Sequence, residues 1–159
     1  MKMADGCISC ATVSGACVPP GGVVFENSNW MVALQAKPLR FPCLPFIILK
    51  RHCENMAGLD VEESSSLGQL MQLTAQALDD VLHPAKVHFG IYAESVKHLH
   101  VHVFPRMPDM PAGNIPNVWI GQWNYLLHVL GLKKAYPDEV VAQYAEKLRG
   151  AYLKLESSQ

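Results

Sequence analysis

The stretch His98-Leu99-His100-Val101-His102-Val103 decides how this chain is read. Imidazoles alternate with bulky apolar residues at a period of two, the side-chain period of a β-strand. On a strand over 98–104, His98, His100 and His102 share one face over roughly 13 Å, and Leu99, Val101 and Val103 point the other way into a core. Folding alone does not favour three titratable rings on one face, because apolar residues there would pack better and cost less to bury. Three readings stand: a solvated face of an edge strand, a metal-binding strand, or a catalytic strand.

Moving upstream, Lys86–Tyr92 has the composition of a partner strand. Before it, Asp60-Val-Glu-Glu63 has the spacing of a capping box, with an acceptor at the N-cap and a carboxylate three residues on. Leu67, Leu70, Met71, Thr74, Ala77, Leu78 and Val81 then recur at helical spacing, against a polar face of Gln69, Gln72, Gln76 and Asp80. That helix ends at His83-Pro84, because the residue before a proline is pushed out of the helical region. Val23–Phe25, Trp30–Leu34 and Phe46–Lys50 read as three further strands.

Downstream, Pro105, Pro108 and Pro111 predict an irregular loop over 105–113. Trp119–Leu130 has helical spacing, and Trp123 falls on the same helical face as Trp119. Pro137 suits the first position of a last helix, with Asp138 and Glu139 at its positive end and Val140, Val141, Tyr144, Leu148 and Tyr152 as its stripe. Strands, one central helix and a helical tail, without βαβ alternation, make an α+β fold.

Composition narrows the function. Half of the 159 residues are apolar, 17% are charged, and the formal net charge is −1. This is a folding composition, and it lacks the basic excess of a nucleic-acid binder. The longest apolar stretch, around Phe46–Leu49, is far short of the ~20 residues that cross a bilayer. With no targeting pattern at the N-terminus and an odd set of cysteines (Cys7, Cys10, Cys17, Cys43, Cys53), reduced thiols in the cytoplasm are expected. Cys7-Ile-Ser-Cys10 is a CxxC pair that suits half of a tetrahedral metal site, a redox dithiol, or two small apolar residues.

The run Glu94-Ser95-Val96-Lys97-His98-Leu99-His100-Val101-His102-Val103-Phe104-Pro105-Arg106 resembles the signature of the histidine triad (HIT) family of nucleotide hydrolases and transferases. Phe46-Ile-Ile-Leu-Lys-Arg-His52 resembles the family's strand ending in a basic pair and His, and the CxxC stands where zinc-bearing members have one. The likeness covers about residues 7 to 106. It implies a HIT-like catalytic domain over 1–106, an antiparallel sheet of about five strands with a central helix, and a helical extension over 107–159 packed on it. A homodimer is implied as well.

By that resemblance His100 is the nucleophile that attacks the α-phosphorus of a nucleotide, forming a nucleotidyl-imidazole that water then hydrolyses. His102 and Ser95 would donate to phosphate oxygens, and Gln35 stands at the ribose position. The resemblance also implies a structural zinc held by Cys7, Cys10, His52 and His98. The chain departs from the family's pattern at Glu94, where Gln is usual, at Gln35, where Asp or Asn is usual, and at Leu44, where many relatives have His. Glu94 could donate a proton or narrow the substrate range. Two rival functions follow: a metal-dependent hydrolase with all three histidines on a catalytic ion, and a non-catalytic nucleotide-binding protein.

Overall fold

A computed structural model of the chain describes residues 6–35, 43–110 and 126–157. Five strands, β1 (Val23–Glu26), β2 (Trp30–Leu34), β3 (Pro45–Leu49), β4 (Lys86–Gly90) and β5 (His100–Arg106), form one antiparallel sheet in the order β1-β2-β3-β5-β4. Among the described residues it is accompanied by the helices α1 (Ile8–Val13), α2 (Val61–Leu82) and α3 (Asp138–Glu156), with a 3-10 turn at Met56–Gly58. The expected α+β architecture, a five-stranded antiparallel sheet with a long central helix, is present.

The alternation of β2, β3 and β5 builds the core. Trp30, Val32, Leu34, Ile47, Leu49, Leu99, Val101 and Val103 are buried in one cluster with Leu67, Leu70, Ala77 and Leu78 of α2 and Val141, Leu148 and Tyr152 of α3. The opposite face of the sheet carries a smaller cluster, Ala33, Phe46 and Ile48, capped by Val13 at the end of α1. With both faces covered, all five residues of β2 are buried.

α2 starts where its sequence predicts. Asp60 accepts from the Glu63 N–H at 2.8 Å, and the Glu63 carboxylate accepts from the Asp60 N–H at 2.9 Å, closing the capping box. His83 closes the helix in the left-handed conformation, φ +48°. Pro137 stands at the N-cap of α3, one position before its expected place. α3 is tied to α2 by the Tyr152 hydroxyl, which donates to Thr74 Oγ1 at 2.7 Å, and to β1 by stacking of Tyr152 on Phe25. Gly21, at φ +76°, is needed for this docking: a Cβ there would stand 2.5 Å from the Ala145 Cβ.

Three boundaries depart from the sequence reading. β5 begins at His100 instead of His98, because the preceding residues pair elsewhere: the Leu99 N–H donates to the Cys53 carbonyl and the Leu49 N–H to the Leu99 carbonyl. β4 ends at Gly90, two residues before Tyr92. Pro105 and Arg106 belong to β5, not to the loop expected from Pro105. Pairing of β5 with β3 stops at His102, so the N–H that Pro105 lacks has no strand to meet on that side. Of the expected helix 119–130, residues 126–129 are helical; Trp119 and Trp123 lie outside the described residues.

Candidate functional site

His100 and His102 project from β5 onto the sheet face opposite α2 and α3, where their cross-strand partners on β3 are Ile48 and Phe46. His100 is buried, 7% exposed, while His102 is half-buried. The Nδ1 of His100 lies 2.7 Å from the His98 carbonyl oxygen. A carbonyl can only accept, so Nδ1 carries a proton, and in the neutral ring Nε2 keeps its lone pair. That Nε2 stands 3.0 Å from Nε2 of His102, which must be the donor of the pair. The two rings meet edge-on at 4.6 Å, and His102 is flanked by Phe104 at 5.8 Å and Tyr92 at 5.7 Å.

His98 faces elsewhere. Its buried ring joins Cys7, Cys10 and His52, and the four ligand atoms all lie within 4.8 Å of one another, making the one such His/Cys/Asp/Glu group among the described residues. The Nδ1 of His98 is 3.5 Å from Cys7 Sγ and 3.4 Å from Cys10 Sγ, and the Nδ1 of His52 is 3.4 Å from Cys10 Sγ. A tetrahedral ion with metal–sulfur bonds of about 2.3 Å and metal–nitrogen bonds of about 2.0 Å has S···N edges of roughly 3.5 Å. The donor set therefore fits a closed four-ligand metal centre.

The outer contacts fit as well. The Nε2 of His98 donates to the Leu49 carbonyl at 2.7 Å, which leaves Nδ1 bare toward the thiols, and the Glu54 carboxylate lies 3.6 Å from Nε2 of His52. Such partners fix ligand tautomers at metal centres. Burial holds His98 below the usual histidine range, despite the Leu49 contact, so the ring is the neutral form that binds a metal. α1, which starts just after Cys7 and includes Cys10, is thereby anchored against β3 and β5.

The sequence also holds a positioning pair that its reading missed. Arg51, between Lys50 and His52, donates to Glu63 through Nε and through Nη2 at 2.6 Å, and to the Gly58 carbonyl. Glu63 is 5% exposed, and the Arg51 guanidinium is the first cause holding its carboxyl below the usual range. Its place in a capping box gave no signal of the second role.

The remaining expected residues are placed unevenly. Gln35 follows β2 and its N–H donates to the Leu44 carbonyl at 3.2 Å, prolonging the ladder. By alternation from Ala33 it stands on the His100 and His102 face, two strands away, roughly 10 Å. Ser95 and Glu94 are exposed in the segment between β4 and β5, and neither has a hydrogen bond to the imidazoles among the described residues. Of the cysteines without an expected role, Cys43 is fully buried and its thiol is pushed up to about 12, whereas Cys17 and Cys53 are half-buried.

Comparison with known proteins places this geometry in a family. The HIT domain family matches residues 18–109, more than half of the chain. No curated protein matches. A zinc-bound histidine triad family protein from Mycobacterium smegmatis is 21% identical, with a TM-score of 0.69 over 97% of this chain and 98% of that one. A hypothetical histidine triad nucleotide-binding protein from Sulfolobus tokodaii is 18% identical, with a TM-score of 0.69 over 94% of each chain. A uridylyltransferase is 21% identical, with a TM-score of 0.65 over 93% of this chain and 45% of that one. The likeness of fold thus covers more of the chain than the family match, which ends at residue 109. By its matched domain, its antiparallel sheet and the imidazoles set on β5, the chain belongs to the histidine triad family.

Proposed function

We propose that the protein transfers a nucleotidyl group through His100, hydrolysing a nucleotide with a substituted α-phosphate. The carrying observation is the 2.7 Å contact between His100 Nδ1 and the His98 carbonyl, which keeps a lone pair on Nε2. A neutral imidazole held in one tautomer is a good nucleophile near pH 7, and splitting the displacement in two lowers each barrier. His102 Nε2–H, now 3.0 Å from the attacking atom, would turn to a phosphate oxygen as substrate displaces it, supporting charge where it develops. Ser95 and Glu94 would join by closure of their exposed segment over the phosphate, and Gln35 would hold the ribose.

Zinc is the metal that the Cys7, Cys10, His52 and His98 set suits best, two thiolates and two imidazoles in a closed shell. Bound there, it would supply structural cross-linking. The arrangement favours this reading over a hydrolase with all three histidines on one ion, since His98 turns to the thiols while His100 bonds back to the chain. A cytoplasmic homodimer completes the proposal; no helix among the described residues is long and apolar enough to cross a membrane.

The test is rapid quench of the protein with an α-³²P-labelled dinucleoside polyphosphate or nucleoside phosphoramidate. A labelled, acid-labile adduct on His100 that decays to nucleoside monophosphate is the expected result. Binding of the nucleotide with neither adduct nor product would overturn the reading in favour of a non-catalytic binder.

A further inference from the structure

The four members of the Cys/His cluster are not held alike. Cys7 and Cys10 ride on α1, and His98 is fixed by its ring contact with Leu49 and by the pairing of Leu99. His52 belongs to no helix or strand, and its side chain is 20% exposed. Glu54 stands 3.6 Å from its Nε2, long for a hydrogen bond. The place of the His52 ring therefore depends on its two neighbours in the chain.

Both neighbours are clamped. The Cys53 carbonyl accepts from the Leu99 N–H at 2.7 Å, which ties one side of His52 to the residue after His98. A Cβ on Gly58 would stand 2.7 Å from Cys53 Sγ, so the segment doubles back closely on itself. On the other side Arg51 spreads its guanidinium over three acceptors. Nε and Nη2 donate to the two oxygens of Glu63, and Nη2 also donates to the Gly58 carbonyl at 2.6 Å. Glu63 is buried, and its Oε2 accepts from the Asp60 N–H as well, so the fork is anchored at the start of a 22-residue helix.

The helix cap needs only one oxygen of Glu63, and the fork is surplus to it. For stability alone, an arginine side chain 41% exposed could make the same bonds to water, and a pair at the surface gains little. A planar two-point grip does what water cannot: it fixes the direction in which the chain leaves Arg51, and with it where His52 points.

We propose that Arg51 is a positioning residue for the metal centre: gripped by Glu63, it holds the His52 imidazole within 3.4 Å of Cys10 Sγ. The assignment rests on the metal reading of Cys7, Cys10, His52 and His98. Lysine at position 51 would keep the charge and lose the fork.

The test measures zinc affinity by competition with a chelator, and the absorption spectrum of the protein loaded with cobalt(II). Arg51→Lys should bind zinc about 10- to 100-fold more weakly, the range for lost partners of metal ligands. Its cobalt ligand-field bands should weaken as water replaces His52, while the thiolate charge-transfer bands persist. Asp60→Ala removes the helix cap and spares the fork; it should lower thermal stability and keep both the zinc affinity and the cobalt spectrum. Unchanged zinc affinity in Arg51→Lys, or an equal loss in Asp60→Ala, overturns the assignment. Should Arg51→Lys fail to fold, as judged by near-UV circular dichroism, Glu63→Gln reads the same fork: weaker zinc binding is expected, and unchanged binding overturns the assignment. An unmodified protein that binds neither zinc nor cobalt overturns the metal reading itself, and the role of Arg51 with it.

Discussion

His98 and His100 divide one task between side chain and main chain: the ring of His98 points its Nδ1 at Cys7 and Cys10, while its carbonyl oxygen holds the Nδ1–H of His100 at 2.7 Å. The residue whose ring lies in the Cys/His cluster thus also holds, through its carbonyl, the imidazole proposed as the nucleophile.

Replacing His100 by Asn removes the nitrogen proposed to attack and should leave the sheet's packing almost untouched. Turnover should fall by at least about 10³-fold, as for other nucleophiles that work as part of a unit. The melting temperature should move little. Steady-state assays with calorimetry on the same preparation check both halves of the expectation.

Cys10→Ser replaces a sulfur that approaches both His52 and His98. Bound zinc, counted by elemental analysis, should fall well below one per chain, and thermal stability should fall with it. Chelation of the unmodified protein should remove activity only in step with the loss of near-UV circular dichroism. Instant loss, reversed at once by added metal, would mark a catalytic ion instead.

Glu63 makes stability depend on acid. Its folded carboxyl titrates below the usual value of about 4.3, first because Arg51 donates to it. A depressed carboxyl stabilises the fold fully above its unfolded value and loses that contribution as pH falls through the folded value. Glu63→Gln should therefore cost about 2 kcal/mol near pH 7, from the charge-assisted hydrogen bonds to Arg51, allowing for screening of its 41%-exposed side chain. The two proteins should converge below the usual carboxylate range, which urea titrations at pH 7 and pH 3 would reveal.

Gly21→Ala brings a methyl group against Ala145 and strains a backbone at φ +76°. A loss of about 2–3 kcal/mol in urea unfolding is expected, from overpacking and strain together. Arg149 holds the same turn by donating to the Gly21 carbonyl at 2.7 Å, so the substitution should loosen α3 first. Hydrogen exchange along 138–156 would show it.

What the sequence disclosed was local or periodic. Asp60 and Glu63 lie three residues apart and cap their own helix, and the alternation through Val101 and Val103 needs no distant partner to be recognised as strand. What it concealed depends on residues far away in the chain. β5 starts at His100 because Leu99 pairs with Cys53 and Leu49. Arg51 reads as half of a basic pair until Glu63 arrives from the next helix. Gly21 reads as part of a turn, and only Ala145 shows why no other residue serves there. Tyr92 carries no motif, and its closeness to His102 follows from where β4 stops. The resemblance around His98, His100 and His102 supplied the site's membership, and the fold supplied its orientation.

The two thiols of the CxxC pair meet the His98 ring across 91 and 88 residues. On a ribosome adding about 5–20 residues per second, they emerge some 5–20 s before that imidazole exists. The Cys/His cluster is therefore completed only once His98 has been made, whereas Val13 of the N-terminal helix can already meet Ala33, Phe46 and Ile48. Until then Cys7 and Cys10 stand without the His98 ring beside them, so the order of synthesis sets how long the dithiol goes unaccompanied.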